Sequence, residues 1–134
     1  MNTTVKTIIG IVAGFAIGTF VNGTIVSNCP IPAGADISTI ETLKNTLHLY
    51  GFNDLIYPFL AHAMGTFVGA FVAAFIAYKK MVAAQVVSFM FFLGGLYMAF
   101  YLDFKPLEFS IIDLLFAYFP MGILGFLVAK KVSK

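Results

Sequence analysis

Four long apolar stretches run through the chain, and its polar residues gather in the gaps between them. The stretches extend from about Val5 to Val26, Asp54 to Tyr78, Met81 to Leu102 and Phe109 to Ala129. Each supplies the roughly 20 mostly apolar residues that a helix needs to cross a bilayer. The pattern predicts an all-α integral membrane bundle of four transmembrane helices, forming a single domain over 1–134. Lys79 and Lys80 interrupt the second and third stretches as a tight turn, and Asp103-Phe104-Lys105-Pro106 separates the third from the fourth. Pro106 cannot continue a helix, so a new one is expected to start there. Pro120, near the middle of the fourth span, predicts a kink. Pro58 falls one turn inside the second span, where a missing N–H costs less.

The connection 27–53 is the only sizeable polar segment. Each residue before a proline in Cys29-Pro30-Ile31-Pro32 is pushed away from helical geometry. Ser38-Thr39-Ile40-Glu41 reads as a capping box. Ile37, Ile40, Leu43 and Leu47 then recur at helical spacing, which predicts a short amphipathic helix on the bundle mouth or the membrane surface. Its alternative use is as a lid over a ligand.

Composition narrows the class. The chain is 60% hydrophobic and 10% charged, against about 45–50% and about 25% in ordinary soluble domains. That excludes a soluble enzyme, a coiled coil and a disordered tail. A single cysteine, Cys29, excludes an intrachain disulfide framework. The net charge of +2 and the lack of arginine exclude a nucleic-acid binder. The first stretch is too long for a signal peptide and has no small-residue cleavage site after it.

Charge also orients the chain. Lys6, Lys79, Lys80, Lys130, Lys131 and Lys134 fall at the N-terminus, the second connection and the C-terminus. Asp36, Glu41, Asp54, Asp103, Glu108 and Asp113 fall toward the other side, joined only by Lys44 and Lys105. The positive-inside rule then puts both termini in the cytoplasm, with Tyr50, Tyr57 and Tyr101 at the outer interface and Tyr78 at the inner one.

Small residues mark the expected packing. Gly10, Gly14 and Gly18 lie four apart and lead to Asn22; Gly65, Gly69, Ala73 and Ala77 form a second ridge. Helices in lipid associate by close approach, so the two ridges are expected to face each other. Self-association through one ridge is the competing use. Gly94-Gly95, Gly122 and Gly125 offer further close approaches. Phe89, Phe91, Phe92, Phe100, Phe116 and Phe119 are expected to face lipid or fill gaps. Gln85 and Ser88 are expected to hydrogen-bond between helices.

Polar groups at membrane depth are costly and are functional-site candidates. At a rise of about 1.5 Å per residue, His62 lies roughly 10 Å and Asp113 roughly 6 Å below the outer boundary. Asn22 and Tyr97 reach similar depths. The candidate polar cluster is therefore Asn22, His62, Tyr97 and Asp113, with His62 as a proton switch and Asp113 as its partner. The simpler alternative makes Asp113 a first-turn residue favoured by the helix dipole, and His62 a donor to a neighbouring carbonyl or to Asn22. Asp54 lies two turns above His62. A metal needs three or four convergent ligands, and with His48 in the loop none are apparent; no metal and no cofactor is expected. Asn22-Gly23-Thr24 and Asn2-Thr3-Thr4 match the glycosylation sequon by chance, one in the membrane and one in the cytoplasm.

Several four-span families differ at their signatures. Small multidrug exporters carry a glutamate in the first span, which here has no acid. Gly18-Thr19-Phe20-Val21-Asn22-Gly23 is loosely similar to fluoride channels, but their Thr-Phe-Ser-Thr-Phe signature is missing. Quinone-linked disulfide reductases need paired cysteines, and membrane glutathione transferases use arginines. The whole chain, in particular Pro30-Ile31-Pro32-Ala33-Gly34, Ala61-His62-Ala63-Met64-Gly65-Thr66-Phe67-Val68-Gly69-Ala70 and Ala117-Tyr118-Phe119-Pro120-Met121-Gly122, resembles uncharacterised four-span inner-membrane proteins of Bacteroidota-type bacteria. The resemblance implies a bacterial inner-membrane location and the four-helix fold; it brings no activity.

Three functions are carried forward. The first is a non-catalytic accessory or scaffold subunit, whose partners are the bilayer and other membrane proteins or itself. The second is a small homo-oligomeric transporter or proton-coupled carrier using the polar cluster. The third, ranked last, is an intramembrane enzyme, because no nucleophile–base pair or metal motif is legible.

Overall fold

A computed structural model describes residues 2–103 and 107–133. The expectations placed on Lys105, Pro106 and Lys134 lie outside the described residues. Four segments are long and apolar enough to cross a membrane: Thr3–Ser27, Phe52–Ile76, Lys80–Leu102 and Leu107–Val132. The protein is an all-α, multi-pass membrane bundle. Its helices are α1 (Thr3–Ser27), α2 (Ile40–Thr46), α3 (Ile56–Ile76), α4 (Lys80–Leu102), α5 (Leu107–Phe116) and α6 (Phe119–Val132).

The side chain of Asn2 caps α1 by accepting from the Thr4 N–H at 2.9 Å. In the loop that follows, Gly34 has φ 84° and the Ala35 N–H donates to the Pro32 carbonyl at 3.0 Å. A positive φ at the third position of a turn is where glycine is needed. The Asp36 carboxylate accepts the Ser38 N–H at 2.8 Å, which holds its carboxyl below the usual range. The α2 cap sits one residue later than Ser38-Thr39-Ile40-Glu41 suggests. Thr39 is the N-cap and Thr42 closes the box, with the Thr42 N–H donating to Thr39 Oγ1 at 3.0 Å and the Thr39 N–H to Thr42 Oγ1 at 3.1 Å. A threonine at the third helical position reaches back as a glutamate would, and that register leaves Ser38 to pair with Asp36.

Gly51 and Asp54 open the next segment: the Gly51 N–H donates to Asp54 Oδ2 at 2.8 Å. Pro58 falls in the first turn of α3, where no intrahelical N–H is required. The buried side of α3 is Ala61, Ala63, Gly65, Thr66, Gly69, Ala70, Ala73 and Ala74. Side chains this small let two helices approach at once, so α3 becomes the centre of the bundle.

On one flank lies α1. A Cβ at Gly10 would sit 2.7 Å from the Ala73 carbonyl oxygen, and one at Gly18 would sit 2.6 Å from that of Gly65. Gly14 meets the backbone of Gly69 in the same way. On the other flank, a Cβ at Gly125 would sit 2.5 Å from the Phe67 carbonyl. Gly122 approaches α4 instead, where it faces Ser88. Ser88 does not bridge helices; its hydroxyl donates to Ala84 O of its own helix at 2.8 Å. Among the described residues, no hydrogen bond joins Gln85 to another helix.

The fourth span is broken rather than kinked. α5 ends at Phe116, and α6 begins at Phe119 with Pro120 in its first turn. Proline cannot donate to the carbonyl four residues back, that of Phe116, and it is accommodated in the first turn of a new helix. Tyr118, at φ −113° and ψ −80°, takes up the change of direction.

At the lysine-rich end, the Lys79 N–H donates to Thr7 Oγ1 at 3.3 Å, and Lys80 Nζ donates to the Ser133 carbonyl at 3.2 Å and to its hydroxyl. These contacts tie both chain ends to the α3–α4 turn. Phe89, Phe100 and Phe116 are exposed as a lipid-facing surface requires, while Phe91 packs on Phe15 and Phe92 on Tyr118 and Phe119.

Candidate functional site

The glycine seam holds α1 and α3 together up to Gly18 and Gly65. Beyond that level, toward the loop end, the helices part around a cavity of about 390 Å³. All four spans line it: Asn22 and Val26 from α1, Pro58 and His62 from α3, Gly95, Met98, Ala99 and Leu102 from α4, and Phe109, Ser110 and Asp113 from α5. The loop roofs it with Cys29, Pro30, Ile31, Ile37, Leu43, Leu47 and Tyr50. The walls are mostly apolar; His62 and Asp113 lie at the deep end, and Cys29, Tyr50 and Asp54 nearer the mouth. Its size is at the lower end of small-molecule pockets, which run from about 300 to 1,000 Å³.

His62 and Asp113 meet at the deep end. His62 Nδ1 lies 3.0 Å and 2.9 Å from the two Asp113 carboxylate oxygens. With Asp113 ionised its carboxylate only accepts, and Nδ1 then carries the hydrogen and donates. The other ring nitrogen, Nε2, makes no hydrogen bond among the described residues. In the neutral ring it is an available proton acceptor. The His62 side chain is 29% exposed and that of Asp113 is 7% exposed. The acid is enclosed while the base opens toward the cavity.

A third residue completes the arrangement. The Tyr118 hydroxyl donates to Asp113 Oδ2 at 3.1 Å, and its ring stacks on His62 with centroids 5.8 Å apart. Positions 113 and 118 of a continuous helix point about 140° apart. The break before Pro120 re-aims Tyr118 so that it can reach Asp113. Gly95 leaves the space: a side chain there would collide with the Tyr118 hydroxyl. The sequence held both signals, a mid-span proline two residues after a tyrosine and a glycine pair on the facing helix, but neither identified Tyr118.

Tyr97 does not join the cluster. It is 64% exposed and stacks on Tyr101 along the outside of α4. Two residues from Gly95 means about 200° around the helix, so sharing the depth of the site did not put Tyr97 on its side. Asn22 lines the cavity with His62 and Asp113, packed against Gly65, but makes no hydrogen bond to either among the described residues. Gly10, Gly14, Gly18, Gly65 and Gly69 build the seam beneath. Thr66, one turn beyond His62 on α3, is fully buried, and its Oγ1 has no hydrogen-bond partner among the described residues.

Toward the mouth, burial pushes the Cys29 thiol up, and its Sγ donates to the Ile25 carbonyl at 3.1 Å. Burial, then the Asp54 carboxylate, then Cys29 push the Tyr50 phenol up. Lys44 Nζ of α2 lies 5.0 Å from the centre of the Tyr101 ring, a cation–π contact that latches the roof to α4. Among the described residues, no three His, Cys, Asp or Glu side chains gather to hold a metal. The arrangement is an oriented acid–base pair, its acid enclosed and its base half-buried, under a small apolar chamber: a proton gained or lost there changes the charge of the chamber floor. Compared with known proteins, the chain matches no family, no curated protein and no solved structure.

Proposed function

We propose that the protein is a small carrier of a bacterial inner membrane, with both termini cytoplasmic, that takes a small molecule into the cavity and couples its binding to a proton on the His62–Asp113 pair. The observation that carries this reading is the enclosed Asp113 carboxylate, held by donors from α3 and from the α5–α6 break at the floor of a chamber of ligand size. An ionisable pair at membrane depth is expensive to keep and is characteristic of proton relays and substrate paths. The lysine asymmetry supports the orientation.

The accessory-subunit reading rests on the glycine ridges, the lipid-facing aromatics and the lack of a complete catalytic constellation; the contact of His62, Asp113 and Tyr118 at the cavity floor is what favours the carrier reading over it. The glycine seam closes the bundle beyond His62, so delivery to the lysine-rich end requires a second conformation. The break at Ala117–Tyr118 is the natural hinge for it.

Native mass spectrometry of the protein released gently from its own membrane tests the reading. The expected result is a monomer or homo-oligomer retaining a small molecule that Asp113→Asn does not retain. A defined complex with other proteins and no retained molecule would return the protein to the accessory class.

A further inference from the structure

The charges around the cavity are one-sided. Asp113 faces His62 from α5, Asp54 lines the wall before α3, and among the described residues no lysine lines the chamber. The remaining titratable groups are Tyr118 at the break, and Cys29 and Tyr50 from the loop, all neutral unless they lose a proton. The polar contribution of α1 is the uncharged Asn22, and α4 contributes no charged group. With His62 neutral, the chamber carries the two carboxylates and no cation. With His62 protonated, the floor becomes a neutral ion pair.

Acceptors are in surplus in the first state. A carboxylate offers about four acceptor positions, and Asp113 receives only His62 and Tyr118 among the described residues. Nε2 of the neutral ring adds a lone pair. A ligand that donates N–H and carries positive charge satisfies both, while the apolar walls accommodate a hydrocarbon body. Protonation of His62 removes the Nε2 acceptor and adds a like charge in a poorly screened place.

We propose that the cavity takes a primary or secondary ammonium on an apolar body, and that this cation and the proton on His62 exclude one another. The inference rests on the carrier reading and names its substrate class: an apolar amine exchanged for a proton. The bookkeeping balances, since one proton leaves Nε2 for water as one cation enters, and no covalent bond to carbon is made or broken.

The test uses the full chain in nanodiscs, with empty nanodiscs subtracted, and one apolar body under four heads: 4-phenylbutylammonium, its trimethylammonium analogue, 4-phenylbutan-1-ol and 5-phenylpentanoate. Calorimetry in buffers of different ionisation enthalpy reads affinity and proton release together. The ammonium is expected to bind at least tenfold tighter than the carboxylate. Its affinity should rise about tenfold per pH unit on the acid side of the titration and then level off, because each cation displaces one proton. Asp113→Asn should lose binding by tenfold or more. His62→Gln, which keeps a donor for Asp113, should bind the ammonium with affinity flat in pH. Equal binding of the trimethylammonium analogue overturns the role given to Nε2. Preference for the alcohol or carboxylate, a flat wild-type profile, or no saturable binding overturns the inference. If the wild type retains a small molecule in native mass spectrometry yet rejects both ammonium probes, the substrate class fails and the carrier reading stands. If it retains none, both fail.

Discussion

The hydroxyl of Tyr118 occupies the space that a side chain at Gly95 would need. That contact joins α4 to the helix break and fixes the tyrosine against Asp113. Gly95→Ala is therefore expected to displace Tyr118 and destabilise the protein by about 1–3 kcal/mol, the usual cost of overpacking. Gly94→Ala, whose new methyl would meet open space, should leave stability unchanged or raise it. Denaturant unfolding of the two variants side by side measures the difference, and equal stabilities would contradict the role given to Gly95.

Removing only the hydroxyl is a milder change. Tyr118→Phe keeps the ring stacked on His62 and deletes the donor to Asp113 Oδ2. A loss of about 0.5–1.5 kcal/mol is expected, the net worth of one hydrogen bond. The phenyl ring that remains should still pack at the break, so near-ultraviolet circular dichroism should show an otherwise native fold.

How much of this was legible beforehand can be argued from three residues. Gly14 and its ridge were readable because small residues at every fourth position can serve little else than close approach in lipid, and the seam with Gly69 needs only that spacing. Tyr97 was misplaced because spacing gives depth along a helix and leaves rotation open. Tyr118 was missed because its direction depends on a break in the helix at Ala117–Tyr118 that helical periodicity cannot express. The span boundaries and the His62–Asp113 pair follow from composition and depth, and Tyr118 joins them through the break between α5 and α6.

The seam also makes a prediction. Gly14→Val puts a branched side chain against the backbone of Gly69 and should separate α1 from α3. Gly23→Val, with nothing within 4 Å of its Cβ, should be tolerated. Disulfide trapping between cysteines introduced at positions 11 and 77, in a Cys29→Ser background, would report the separation as lost cross-linking in the first variant alone.

The roof is held at its edge. Lys44→Gln removes the cation over Tyr101, a contact worth about 0.5–1 kcal/mol at an exposed site. Hydrogen exchange at Leu43–Leu47 should accelerate about two- to five-fold, the same energy expressed as an opening equilibrium. No change there would mean that the latch does not hold α2.

Cys29 reports on the mouth. Burial raises its thiol pKa, so the thiolate fraction at neutral pH is smaller than in an exposed cysteine. Alkylation should be slower than for a free thiol at pH 7 and keep rising with pH beyond the point where a free thiol levels off. A ligand in the cavity should slow it further at every pH.

The central claim is that the floor of the cavity holds a proton at a defined atom. Nitrogen-15 NMR of labelled histidine in nanodiscs, with His48→Gln to leave one signal set, tests it most directly. Through a pH series, Nδ1 of His62 is expected to stay protonated, held by Asp113, and the proton that exchanges is the one on Nε2. In Asp113→Asn that tautomer preference should weaken. A His62 whose Nδ1 is the bare nitrogen, or whose two nitrogens do not respond to pH, would contradict the account.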